Sequence, residues 1–223
     1  MSATLLMRME APLQSWGIQS NFTIRDTGRE PSKSGVIGIL CAALGRRRCE
    51  PLDDLDSLKM GVRVDREGRL SWDYQIAQDV LKSGGGLKLS EPSTRYYLAD
   101  AVFLVGLEGE LVWLEQLDEA LHKPVWLIYL GRKAFPPSAP VWLKDGLRKT
   151  EELADSLTTY PWLVHPRREE QPEKLRLVLE EPFGEEVRPD VPLSFAGRQF
   201  GQRRVQTRYI QRPVQSLEEL TCT

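Results

Sequence analysis

The chain has 223 residues, 41% hydrophobic and 28% charged, a balance that suits a folded globular protein and excludes a disordered or collagen-like one. No run of 18 apolar residues occurs, so no membrane span is expected, and the N-terminal MSATLLMRMEAP lacks the cationic lead and long apolar stretch of a secretory signal. Three cysteines without a C-x-x-C pair exclude a disulfide scaffold and a zinc knuckle and suit a reducing cytoplasm.

The net charge is only −2, with 30 Lys and Arg against 32 Asp and Glu, which taken alone argues against a nucleic-acid partner. The distribution points the other way. Cations outnumber anions over residues 8–48, which end in Arg46-Arg47-Arg48. Residues 191–217 hold no Asp or Glu but include Arg198, Arg203, Arg204, Arg208 and Arg212, whereas residues 151–190 are rich in acids. One basic and one acidic face would follow, and patches rather than net charge steer a polyanion. The plainer reading of any one charge run is a solvated face.

In chain order, residues 4–10 alternate as a half-buried strand, with Leu5, Met7 and Met9 on one side and Arg8 and Glu10 on the other. Residues 31–45 read as a helix capped by Ser32 or Ser34 and closed by Gly45, its uncharged body buried on most sides. Residues 61–66 form a strand, Glu67-Gly68 a tight turn, and residues 70–76 a strand that pairs back as a hairpin. Residues 78–94 contain three consecutive glycines and no sustained period, the pattern of a protruding hairpin or loop. Residues 96–107 read as one strong strand, and residues 110–122 as a helix with Leu111, Leu114, Leu117 and Leu121 on one face, stopped by Pro124. Residues 125–130 read as a strand, 147–157 as a helix and 174–181 as a strand, with extended strands in the C-terminal arginine segment.

The order β-α-β-β-(insertion)-β-α-β implies an α+β fold of ferredoxin-like type. Both crossover helices would share one face and leave the other face of the sheet free. At about 150 residues per domain, one domain with an addition is expected. The division is a ferredoxin-like unit over 1–135 and a small β-rich extension over 136–223 on the same core.

Three chemistries can be weighed. Lys33-Ser34 opens a helix as the end of a phosphate loop does, but the glycines that loop requires are replaced by Thr27 and Ser32, so ATP binding is set aside. A helix N-terminus beside Lys33 still attracts a single phosphate, against the plainer reading of a capped core helix. Acid–base catalysis has little to draw on. The only histidines are His122, at a helix end, and His165, among prolines. Asp53-Asp54-x-Asp56 reads as an acidic helix start and not a cation site, so no metal and no cofactor is expected. Metal-free RNA cleavage using Tyr74, Tyr96, Lys82 or Lys88 is the minority reading. RNA contact is favoured by aromatics interleaved with charge at Trp72-Asp73-Tyr74, Arg95-Tyr96-Tyr97 and residues 204–209, because unstacked bases bind rings and guanidinium planes. Against that, each aromatic taken singly fits an ordinary strand core.

A family resemblance is carried by blocks in order along nearly the whole chain. These are Pro12-Leu13-Gln14-Ser15-Trp16-Gly17, Arg25-Asp26-Thr27-Gly28, residues 31–38 (PSKSGVIG) and Asp73-Tyr74. Residues 95–103 (RYYLADAVF), Lys123-Pro124, residues 129–133 (YLGRK) and Arg198-Gln199-Phe200 complete the set. Together they resemble the CasD-type subunits of type I-E CRISPR Cascade complexes. The resemblance implies a ferredoxin-like (RRM-like) RNA-binding fold with an inserted thumb hairpin near residues 78–95. It implies a protein that holds the 5′ handle of the CRISPR RNA without cutting it and caps the backbone subunits. Its implied partners are the crRNA and the backbone and large subunits of Cascade, with target DNA near the recognition motif as a further candidate. A related branch in type I-C complexes is an endoribonuclease. That family often has His after the Asp-Tyr pair, where this chain has Gln75, which weakens any cleavage case.

On this reading Arg25, Lys33, Arg132, Lys133 and Arg198 contact phosphates, while Gln14, Trp16, Tyr74 and Tyr96 contact bases or sugars. Lys82 and Lys88 stand on the thumb. A guide complex delegates sequence reading to base pairing, so its protein parts should grip backbone and shape. A metal-independent repeat endoribonuclease and a protein–protein scaffold remain the alternatives.

Overall fold

The computed structural model describes residues 2–17, 23–164 and 171–213; His165 lies outside them. The elements are β1 (Ser2–Glu10), β2 (Leu13–Gln14), β3 (Ile24–Arg25), α1 (Lys33–Leu44), α2 (Asp53–Asp56), β4 (Lys59–Arg66), β5 (Arg69–Leu81) and β6 (Leu87–Ala99). They continue with β7 (Val102–Glu110), α3 (Leu111–His122), β8 (Trp142–Arg148), α4 (Leu153–Thr159), β9 (Lys174–Glu180), β10 (Glu186–Ser194) and β11 (Gln199–Gln211).

β1-α1-β4-β7-α3-β8 is the ferredoxin-like β-α-β-β-α-β unit, with strands side by side as β4-β7-β1-β8 and every neighbour antiparallel. β9, β11 and β10 continue the sheet beyond β4, giving seven strands in the order β10-β11-β9-β4-β7-β1-β8. β5 and β6 leave this sheet after β4 and return to it at β7. Between those points they form a second sheet in which β6 pairs with β5 and β2 antiparallel and with β3 parallel.

The local reasons are those the sequence suggests. Ser32 caps α1 by accepting from the Gly35 N–H, and Gly45 closes it at φ +71° with its own N–H donating to the Ala42 carbonyl. The uncharged body of α1 and the leucine stripe of α3 pack on one face of the sheet, against Ala3, Leu5, Met7 and Met9 of β1. Strand alternation sends Leu6, Leu104, Leu177 and Leu179 to the opposite face.

That opposite face is not free. α4 and the segment that follows it lie across it, burying Leu153, Leu157, Tyr160, Trp162 and Val164. Gly61 of β4 lets the helix approach closely; a Cβ there would stand 2.6 Å from a Leu157 methyl. The cover is fastened by Arg63, whose fully buried guanidinium donates to the Asp65 carboxylate and to the carbonyls of Leu157, Tyr160 and Pro161. Asp65 in turn accepts from the Leu163 N–H.

Other expectations are corrected. The turn at Gly68, φ +71°, forms as expected, but β5 pairs with β6 and not back on β4. The single strand read over 96–107 is two strands in two sheets, broken at Asp100, which takes φ +60° and donates its N–H to the Pro12 carbonyl. Aspartate tolerates that left-handed geometry, so an unbroken apolar pattern hid the corner. Residues 125–130 form no strand. The Val125 and Trp126 N–H groups instead satisfy the Ala43 and Ala42 carbonyls at the end of α1, and β8 takes the outer place beside β1. The helix read over 147–157 is the end of β8 followed by the shorter α4. The protrusion over 78–94 is a hairpin whose antiparallel ladder runs from Arg69↔Ala99 to Leu81↔Leu87, interrupted at Asp79 with φ +51°, and it is longer than the expected thumb.

Candidate nucleic-acid interface

The hairpin of β5 and β6 is exposed along most of its length, so its side chains are available to a ligand. Alternation places Leu70, Trp72, Tyr74 and Ile76 on one face, with Tyr96 opposite Trp72 and Thr94 opposite Tyr74. Asp73, Gln75, Arg95 and Tyr97 belong to the other. Two-residue β3 docks on the free edge of β6 in parallel, which sets Arg25 beside Arg95.

A second segment closes in from residues 130–135. Gly131, at φ +94°, lies so close to Ser15 that a Cβ would stand 1.7 Å from the Ser15 carbonyl oxygen. The Ser15 N–H donates to the Leu130 carbonyl, the Leu130 N–H to that of Phe135, and the Phe135 N–H to that of Arg132. This tight loop presents Arg132 and Lys133. Arg132 Nη2 donates to the Tyr96 carbonyl at 2.8 Å, and its guanidinium lies over the Phe135 ring at 5.5 Å.

The result is a hollow of about 610 Å³. Its cations are Arg25, Arg95, Arg132 and Lys133; its rings are Tyr97, Tyr129 and Phe135; Asp73 and Gln75 add a polar edge. Burial, then the neighbouring Arg95 and Arg25, push the Arg132 pKa below its ordinary value, with Asp73 acting in the opposite sense. A crowd of like charges that one carboxylate does not balance is an electrostatic site for an anion. Beyond it, a hollow of about 900 Å³ is lined by Arg25 again, with Lys82, Lys88 and the glycine tip of the hairpin. Glu91 pairs with Lys88 there.

Of the residues picked from sequence, Arg25, Arg132 and Lys133 meet in the first hollow and Arg25, Lys82 and Lys88 in the second. Tyr74 and Tyr96 stand on the same hairpin. Gln14, Trp16 and Lys33 are inside the molecule, for reasons of packing. Gln14 Nε2 donates to the Met9 and Ala101 carbonyls, and its Oε1 accepts from Trp16 Nε1. Lys33 gives its backbone N–H to Asp190 and its ammonium to both oxygens of Glu180, while Arg203 bridges Asp190 and Glu180. Burial pushes the Lys33 pKa down, with Glu180 opposing. Arg198 occupies the exposed turn between β10 and β11 at φ +51° and lines neither hollow.

Sequence reasoning named Arg95 and Tyr97 only as part of an interleaved run, without assigning them contacts, and left out Tyr129 and Phe135. The interleaved Arg95-Tyr96-Tyr97 was the available signal, but only the pairing with β3 shows which of the three joins Arg25. His122 lines neither hollow; it stacks on Trp142 with centroids 4.2 Å apart. Among the described residues no group of three His, Cys, Asp or Glu could hold a metal ion, and no helix is long and apolar enough to cross a membrane.

Comparison with known proteins adds three findings. The family model described as "CRISPR-associated protein (Cas_Cas5)" matches residues 4–206. "CRISPR system Cascade subunit CasD" of Escherichia coli (strain K12) is 33% identical over 163 residues, 64% of this chain and 71% of that protein. Two solved structures superpose with a TM-score of 0.79. One, described as "Crystal structure of Cas protein", is 42% identical and covers 96% of this chain and 98% of its own. The other, "CRISPR RNA-guided surveillance complex", is 34% identical and covers 94% and 91%.

Proposed function

Because the chain belongs to the CRISPR-associated Cas5 family, we propose that it is the subunit of a Cascade-type complex that anchors the 5′ handle of the crRNA. The handle lies between the β5–β6 hairpin and the loop over residues 130–135. The observation that carries this reading is the meeting of Arg25, Arg95, Arg132 and Lys133 with the rings of Tyr97, Tyr129 and Phe135 in one hollow. Phosphates are held by guanidinium and ammonium groups, and unpaired bases stack on rings. The handle does not pair with target, so it must be clamped by protein for the guide to begin in register. The other subunits of the complex are the protein partners.

Binding proceeds without cleavage. Neither hollow is lined by a histidine, and the Gln75 amide cannot take a proton from a 2′-hydroxyl as a general base must.

The test is binding of single-stranded repeat RNA at several salt concentrations. Arg25→Ala and Lys133→Ala should each weaken binding and reduce the salt slope by about 0.7 per lost phosphate contact. Unchanged affinity and slope in both variants would overturn the assignment. Incubation with repeat RNA in EDTA should leave the RNA intact; site-specific cutting lost in Tyr74→Phe would make the protein a ribonuclease instead.

A further inference from the structure

Asp73 is the anomaly of the basic hollow. A carboxylate present only to neutralise its neighbours would pair with one of them, and its cross-strand partner is Arg95. Among the described residues it makes no ion pair. Its hydrogen bond is a 2.5 Å donation from Gln75 Nε2. Beside a carboxylate the Gln75 amide must present its NH₂ group, so the second amide hydrogen and the Asp73 Oδ1 remain available. Asp73 and Gln75 are two residues apart on one strand and share a face. Together their head groups form a polar edge of carboxylate acceptors followed by an amide donor. Tyr97 stands diagonally across on β6, on that same face, within the reach of an aromatic ring. The hollow, at about 610 Å³, falls in the range of about 300–1,000 Å³ usual for small-ligand sites.

We propose that Asp73 and Gln75 read one guanine of the bound RNA, with the base beside Tyr97 and its phosphates on the surrounding arginines. The inference rests on the RNA-anchoring reading above and deepens it. Guanine places two adjacent donors, N1–H and N2–H, next to the O6 acceptor. The carboxylate takes the donors and the Gln75 amide serves O6. Adenine and cytosine offer an amino group flanked by a ring nitrogen that acts as an acceptor and faces the carboxylate with a lone pair. Uracil offers a single N–H between two carbonyls. Only guanine leaves no acceptor pointed at Asp73.

The experiment titrates the full chain with short uridine RNAs that carry a single guanine, adenine, cytosine or inosine at each position in turn. Guanine at one position should bind about fivefold to a hundredfold more tightly than the others, the discrimination usual for a bidentate base contact. Inosine there, lacking the N2 amine, should lose most of the gain. Asp73→Asn should abolish the preference, read as the ratio of guanine to uridine affinities at that position for the same variant. Absence of a guanine-preferring position, or a preference that survives Asp73→Asn, overturns the inference and leaves the anchoring reading standing. Failure of the wild-type protein to bind any of these RNAs removes the anchoring reading and this inference with it. Free guanosine monophosphate is run as a competitor; displacement of the RNA at micromolar concentration would mean a nucleotide site and would also overturn the proposal.

Discussion

Replacing Lys33 by methionine separates a binding role from a structural one. The substitution keeps the aliphatic stem and removes the ammonium, which is 2% exposed and 3.1 Å from both Glu180 oxygens. Removing one partner of a buried ion pair costs about 3–5 kcal/mol. Two features lower that figure. Glu180 keeps the Met60 N–H at 3.2 Å and Arg203 at 3.5 Å, and the cost of burying the Lys33 charge, which holds its pKa down, disappears with the charge. A net loss of about 2 kcal/mol is expected, equivalent to a fall of about 4–8 °C in Tm for a chain of this size. The sign with pH also follows. The folded-state pKa of Lys33 lies below its unfolded value, so between the two the unfolded chain binds more protons and stability rises with pH. Wild type should therefore gain on Lys33→Met as pH climbs toward about 10.4, the unfolded value, and the burial penalty should persist in full below the folded pKa. Thermal denaturation across pH and RNA binding across salt are the assays. The expected result is a lowered Tm with an unchanged salt slope. An unshifted Tm with a slope reduced by about 0.7 would make Lys33 a phosphate ligand and refute the buried-network reading.

Gly131→Ala forces a Cβ to 1.7 Å from the Ser15 carbonyl at a φ of +94°. It should cost at least about 1–3 kcal/mol of backbone strain and weaken RNA binding by displacing Arg132 and Lys133, whereas Gly84→Ala, with nothing within 4 Å, should change neither; equal effects at both positions would contradict the geometry. Arg63→Met should lower unfolding free energy in urea by about 3–5 kcal/mol, because Asp65 is left as a buried carboxylate; a loss below about 1 kcal/mol would show the cover over the sheet is held by packing alone. Burial pushes the Cys41 thiol up to about 11. Its folded pKa is thus above the unfolded one, so the stability it contributes is complete below about 9 and is lost as pH rises toward about 11. Wild type should lose ground to Cys41→Ala over that window, and parallel pH profiles would count against it.

The parts of the fold that local chemistry determines were legible. α1 shows its cap, its uncharged body and its closing glycine, and α3 shows its leucine stripe. What failed was decided by distant partners. Residues 78–94, the outer part of the hairpin, have no clear period because much of both faces is exposed there, so no buried side imposes alternation on the sequence. Asp100 carries a corner that an apolar run conceals. The cover over the sheet was hidden, because Arg63 and Asp65 alternate with Val62 and Val64 as solvent-facing charges do, and the carbonyls that receive Arg63 lie 94, 97 and 98 positions away. At the site, Arg25, Arg132 and Lys133 were picked from the blocks that carry the family resemblance. Lys33 looked similar because Glu180 and Asp190, which neutralise and hold it, are 147 and 157 positions away. Arg95 reaches the site through a two-residue strand pairing that no periodicity reports.

The buried residues of the resembling blocks still bear on the site, through the hairpin's base. Gln14 ties the end of β1, at Met9, to the corner at Ala101 where the chain passes between the two sheets. Trp16 fixes Gln14 from the other side and fills the space against Gly35 of α1. Ser15 receives the Leu130 loop, and Arg132 reaches from that loop to the Tyr96 carbonyl on β6. Three stretches distant in sequence thus lock together where the hairpin leaves the body, while a Cβ on Gly84, Gly85 or Gly86 at its tip would meet nothing within 4 Å. Since helices cover both faces of β1, β4 and β7 at the centre of the large sheet, the exposed hairpin and its root offer a surface to grip a strand. On the proposed reading, a hairpin held at the root would keep the cationic hollow in one shape, while Lys82 and Lys88 near the tip would follow the RNA.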